Sequence, residues 1–471
     1  MSKWAAKLVC LAGLALPCLG QSTLILQNPT DAPLGAFGSS QDDGTRPTKA
    51  VQEQSSGPQS AQGAKGTAHR LSVKDAEAIA LRNNPAISVA RLNALASEQV
   101  TREATSVLWP QAYANLTAVD ARDNSRITAG SLNNPIIYTR AAGGATLSQL
   151  ITDFGHTTNL VRSARLQAKA EGQNAVATRN DILLAVDQAF YAGLETHAVL
   201  RVAEQTVASR QLLADQVSAL AKSKLKSDLD LSFANVNLAQ AKLLYLDALN
   251  NDKSAMASLS AILGYSTLEH FDLVSDTGSL MPPPADIDRL VADAFGKRPE
   301  LLALEFESES AAKIHQADRD EMLPTISALA AYGDAPVRDD RVYGPYGAVG
   351  VNVQIPVFNG FLISSRSRES DLRAQAARRR LMDLRNRIAR DVRTSWLAAN
   401  TAFDRVTVSG QLLAQANQAL DLAQTRYKLG LSSIVELSQA QLQQTQAEIG
   451  NVQAGYEYQL ALSALSYQTS G

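Results

Sequence analysis

The sequence predicts a mainly α fold with β-strands, organised as a tandem repeat of long helical hairpins and paired strands. Three observations predict it: a pattern that occurs twice along 471 residues, proline-free stretches with a seven-residue apolar period, and short runs that alternate apolar with polar.

The repeat sets the frame. Pro85 and Pro110 return as Pro299 and Pro324, both displaced by 214 positions. Farther on, Asp153, Leu166, Val186, Phe190, Leu231 and Ala234 return as Asn359, Leu372, Val392, Trp396, Leu437 and Ala440, all displaced by 206. Because the offsets differ by 8, the first copy holds eight extra residues between Pro110 and Asp153, where a variable loop is expected. The resulting organisation is a signal segment (1–20), a disordered arm (21–70), a first repeat (71–275) and a second repeat (276–471).

Residues 1–20 begin Met1, Ser2, Lys3, Trp4 and continue as an apolar run through Leu19 to small Gly20, the layout of a secretory signal peptide cleaved after Gly20. Both cysteines, Cys10 and Cys18, lie inside it, so the exported chain would hold neither thiol nor disulfide. Lipidation at Cys18 is the alternative, although Leu16 and Pro17 precede it where small residues are wanted. The arm is rich in Ser, Gln, Gly and Pro, including Pro29, Pro33, Pro47 and Pro58, a composition unable to bury a core. Gly278 and Pro282–Pro284 mark a linker between the copies.

The long helices follow from where proline is missing: residues 136–281 and 357–471 contain none. In copy two Val392, Ala399, Val406, Leu413, Leu420 and Tyr427 fall seven apart, matched in copy one by Val186, Gly193, Leu200, Val207, Ala214 and Ala221. After breaks near 222–228 and 428–433 a second stripe begins, Ala234, Ala241, Ala248, Ala255 and Ala440, Ala447, Ala454, Ala461. Beside it run Leu229, Val236, Leu243 and Val435, Leu442, Ile449, Tyr456. A seven-residue apolar repeat keeps one seam toward a partner helix, and alanines on a neighbouring seam admit a second at close range. The helix over 157–222 would run about 95 Å at 1.5 Å per residue.

The strands are shorter. Val349, Val351, Val353 and Ile355 alternate with Gly350, Asn352 and Gln354. After Pro324, Ile326, Ala328, Ala330 and Tyr332 share one face, with Leu329 spoiling the polar side; Ala112, Ala114, Leu116, Ala118 and then Ala145, Leu147 are the copy-one equivalents. Each copy reads helix, strand, loop, strand, long helix, turn, long helix. Such alternation suits membrane-barrel strands and half-buried soluble strands alike. No apolar run of about 18 residues follows the signal segment, so a membrane span would have to be a closed barrel. Four strands cannot close one, since about eight is the minimum, so spanning requires several chains; three would supply twelve strands. Trp109, Tyr343 and Tyr346 are candidate interface aromatics.

With these residues in place, the chain resembles the TolC family of outer-membrane efflux channels over about residues 70–471. The resemblance rests on Asn83-Asn84-Pro85 and Lys297-Arg298-Pro299, on the strand-to-helix turns at 150–155 and 355–360, and most specifically on Arg426-Tyr427-Lys428-Leu429-Gly430-Leu431-Ser432-Ser433-Ile434-Val435-Glu436-Leu437. It implies a homotrimer: a 12-stranded outer-membrane barrel in lipid, continued by a periplasmic helical tunnel. It implies as partners a periplasmic adaptor (membrane fusion) protein and an inner-membrane pump of RND, ABC or MFS type. The function implied is the passive exit duct of a tripartite efflux or type I secretion system.

The same resemblance points to the hairpin tips as gate and adaptor-docking site, through Lys224, Lys226, Asp228, Asp230, Tyr427, Gly430, Leu431, Ser432 and Glu436. Tyr427 falls where a tip tyrosine hydrogen-bonds a carboxylate of the other hairpin, for which Asp230 is the candidate. Glu436 falls where an acidic ring can cross the narrow end; a solvated glutamate is the plainer reading. Copy one departs from the pattern, with Lys224 in place of the glycine, and Ser432 replaces a basic residue.

Enzymatic and cofactor chemistry find no support. His69, His156, His197, His270 and His315 are scattered, and no HExxH, CxxC, phosphate loop or GxSxG is present. A net charge of −2, or −4 once Lys3 and Lys7 are removed, gives no case for nucleic acid. The arginines between 373 and 393 are interspersed with Asp383 and Asp391 and read as a solvated face. The competing function is a periplasmic coiled-coil adaptor or structural protein that bridges membranes without a pore; such a chain would carry one hairpin rather than two.

Overall fold

A computed structural model describes residues 69–122, 125, 136–275, 281–341 and 343–470. The signal segment, both cysteines, nearly all of the arm, most of the variable loop and Gly278 lie outside the described residues. The element order is β1 (His69–Leu71), α1 (Val73–Asn83), α2 (Pro85–Ser106), β2 (Gln111–Val119), β3 (Arg140–Thr152), α3 (His156–Lys222) and α4 (Asp228–Ile262). It continues with β4 (Phe271–Leu273), α5 (Ile287–Lys297), α6 (Pro299–Asp320), β5 (Thr325–Arg338), β6 (Tyr346–Gln354), α7 (Leu362–Lys428) and α8 (Ile434–Ser470).

Two points differ from expectation. Each copy has two helices, not one, ahead of its strands. Asn84 and Arg298 precede proline and take ψ 121 and 120, which ends α1 and α5, while the prolines themselves start α2 and α6. The arm's expected boundary at residue 70 falls inside β1, which pairs in parallel with β4 from the far end of the same copy. A three-residue strand has no readable period, and its partner lies about two hundred residues away.

The long elements match the apolar stripes. α3 and α7 are each 67 residues, about 100 Å at 1.5 Å per residue. Val186, Gly193, Leu200 and Ala214 are buried on α3, as are Val392, Ala399 and Tyr427 on α7. Ala234, Ala241 and Ala248 are buried on α4, and Ala440, Ala447 and Ala454 on α8. α3 packs along α4, α6, α2 and α8, and α7 along α8, α6 and α5. Leu229, Val236, Leu243, Val435 and Leu442 stay exposed in the single chain. The arginine run is indeed a solvated face: Arg387 pairs with Asp383 at 3.0 Å and Arg385 reaches Glu305 of α6 at 2.8 Å, with each arginine more than half exposed.

The strands form one antiparallel sheet, ordered β2-β3-β5-β6, whose central pair joins the two copies. Its register puts Ala112 opposite Leu147, Leu147 opposite Ala330, and Ala330 opposite Val349. Leu116, Tyr332, Val349 and Val351 therefore share a face with them, and all four are exposed. The other face carries Thr146, Ser148, Asn115, Thr117, Ser327 and Asn352. There Tyr346 lies across Gly144 and Gly333, with no room for a Cβ at Gly333. Tyr346 thus covers glycine backbone while staying half exposed, and Trp109 and Tyr343 are exposed as well. β2 and β6 are edges with no further strand paired to them among the described residues.

Candidate functional site at the hairpin tips

Both hairpins turn by the same local mechanism. At the end of α3, Lys224 N–H donates to Ala221 O and Leu225 N–H to Leu220 O, both at 2.9 Å. At the end of α7, Gly430 N–H donates to Tyr427 O at 3.1 Å and Leu431 N–H to Arg426 O at 2.8 Å. This helix-ending pair of bonds needs a left-handed residue at its pivot. Gly430 supplies it at φ 73, and Lys224 adopts φ 59 in the glycine's place. A left-handed lysine costs about 1 kcal/mol relative to glycine.

The first tip then restarts as α4 through a reciprocal cap: Asp230 N–H donates to Ser227 Oγ at 3.1 Å, and Ser227 N–H donates to Asp230 Oδ2 at 3.2 Å. Ser227 Oγ–H also reaches Asp230 Oδ2 at 2.9 Å. Asp228 and Asp230 both sit in the first turn, where the helix dipole favours negative charge. In the second tip Glu436 N–H approaches Ser433 Oγ at 3.4 Å.

Tyr427 is the centre of the second tip, buried among Ala423, Ile434, Leu437 and Ala440, with Leu213 of α3 against the same cluster. Its hydroxyl is buried without a hydrogen-bond partner. The bond to Asp230 that the resemblance implies is therefore not made, because Asp230 is engaged in its own helix cap. The two remain electrostatically close: burial first, and then the Asp230 charge, push the Tyr427 phenol above its usual range. What crosses between the hairpins is Lys226, whose Nζ lies 4.1 Å from the centre of the Tyr427 ring. The cleft there, of about 330 Å³, is lined by Val217, Lys226, Tyr427, Leu437 and Gln441 among others.

Glu436 meets Arg426 at 3.4 Å across the turn, with both side chains about half exposed, a pair worth little alone. Ser432 Oγ is buried and unpaired. Leu431 projects into solvent beside Leu429, as do Leu225 and Leu229 at the first tip. The fold thus brings Lys226, Asp230 and Tyr427 together, holds Glu436 on Arg426, and leaves Lys224 and Asp228 exposed. Sequence reasoning missed Arg426 as the partner of Glu436, since nothing in their spacing announces a contact across a turn. Among the described residues no group of three His, Cys, Asp or Glu could hold a metal ion.

A profile described as outer membrane efflux protein matches residues 78–265 and 290–469. The chain is 25% identical over 329 residues to outer membrane efflux protein BepC of Brucella suis biovar 1, covering 68% of this chain and 70% of that protein. To outer membrane protein TolC of Escherichia coli it is 23% identical over 405 residues, 79% of this chain and 77% of that one. The crystal structure of the CmeC outer membrane channel of Campylobacter jejuni superposes with TM-score 0.74 at 15% identity, over 84% of this chain and 85% of that one, a likeness of fold.

Proposed function

The chain belongs to the outer membrane efflux protein family, and on that premise we propose that three copies close one twelve-stranded barrel in the outer membrane and continue as a helical duct through the periplasm. The observation that carries this reading is the sheet. One face is apolar and bare, with Leu116 and Val349 about nine-tenths exposed, while the other is mainly polar, interrupted by Tyr113 and Leu329. In water such a face is a liability, whereas lipid on one side and a wet lumen on the other suit both faces. Unpaired edges β2 and β6 need partners in a bilayer, where open sheet edges do not survive, and a neighbour's edges supply them. The exposed stripes Leu229, Val236 and Leu243 offer the helical part of the same contact.

In this reading the tips are the closed end of the duct and the docking point for a periplasmic adaptor, which links it to an inner-membrane pump. Lys226 on Tyr427 and the apolar Leu225, Leu229, Leu429 and Leu431 are the groups concerned. The duct is passive and takes its specificity from the pump. Addition of the detergent-purified chain to a planar lipid bilayer should give discrete conductance steps of one recurrent size. Stable insertion with no steps would refute the duct.

A further inference from the structure

About three turns from the tip end of α3, Arg210 is 8% exposed at the junction with α4 and α8. A guanidinium offers five N–H donors. Its hydrogen bonding among the described residues is one contact, from Nη2 to Thr445 Oγ1 at 3.4 Å, the outer limit of such a bond. No carboxylate pairs with it among the described residues. Burial lowers its pKa to about 10, which leaves it cationic at neutral pH. Buried charge without a counter-charge is costly, so the cation needs an acceptor that the described residues of one chain do not provide.

The repeat shows that this arginine is not demanded by the architecture. The 206 offset aligns it with Ala416 of α7, a buried alanine with no polar side-chain atom. Copy one has therefore placed a charge where helix packing needs only a small apolar residue. Beside it opens a pocket of about 340 Å³ whose hydroxyls already have their protons engaged: Thr445 Oγ–H donates to Gln441 O at 3.0 Å and Thr206 Oγ–H to Val202 O at 2.8 Å. Asn237 spends an amide proton on Ser438 Oγ at 2.6 Å. The exposed amides of Gln240 and Gln446 stand at the mouth. Donors at rim and base without an acid form the chemistry of an anion acceptor.

We infer that this pocket binds an anion, a halide or a carboxylate, held on Arg210 with the Gln240 and Gln446 amides closing over it. The carboxylate has two sources, a free solute or an acidic side chain of a second copy of the chain. Crystals of the full chain grown in bromide and measured at the bromine absorption edge decide the matter. An anomalous peak within hydrogen-bonding distance of Arg210, lost in Arg210→Gln, supports the inference with a free anion. An Asp or Glu of a second copy on Arg210, with no peak, supports it with the other source. A guanidinium contacted only by water, with bromide seen elsewhere on the protein, overturns it. No outcome depends on the chain conducting ions.

Discussion

At the scale of single residues, the tips separate groups that pack the turns from groups that merely lie there. Tyr427 contributes a buried ring to the second tip and a platform for Lys226, but its hydroxyl bonds to nothing. Tyr427→Phe should therefore leave conductance unchanged. Tyr427→Ala, which empties a packed site at a cost of about 3 kcal/mol, should loosen the tip and raise conductance several-fold. A Phe variant that opens the channel as far as the Ala variant would show that the hydroxyl, not the ring, is the latch. Gly430 was legible in the sequence because a helix end demands a left-handed residue. Lys226 stacked on Tyr427, Arg426 on Glu436, and Arg210 without an acid were not, because each depends on which helices meet in space.

At the scale of elements, heptads and alternation announced both 67-residue helices and the strands of the sheet, since each such element buries or exposes one face along its whole length. Short elements lacked that redundancy, so β1 and β4 went unread and α1 merged with α2. The docking of α1 on α3 carries a testable charge feature. Burial first, and then the neighbouring Asp187 charge, push Glu77 up, with Lys74 opposing; burial likewise pushes Asp187 up. An acid whose folded pKa exceeds its unfolded value holds its proton more tightly when folded. The stability it adds is complete below the ordinary values of 4.5 and 3.8 and is lost as pH rises through the folded ones. Hydrogen exchange of α1 amides, corrected for intrinsic rates, should show protection falling as pH rises above that range. Glu77→Gln should flatten the trend; a slope unchanged in the variant would place the titrating group elsewhere.

At the scale of the whole molecule, a four-stranded sheet with a bare apolar face and two helices about 100 Å long make sense as one third of a wall. In the wall proposed here, the repeat would let one chain supply two adjacent staves, joined where β3 pairs with β5. The most direct test is electron cryo-microscopy of the detergent-extracted protein. The account predicts a threefold-symmetric particle in which β2 of each copy pairs with β6 of the next and the Val349 face meets detergent. A monomer with both sheet edges open, or an assembly joined only through its helices with no closed barrel, would contradict it.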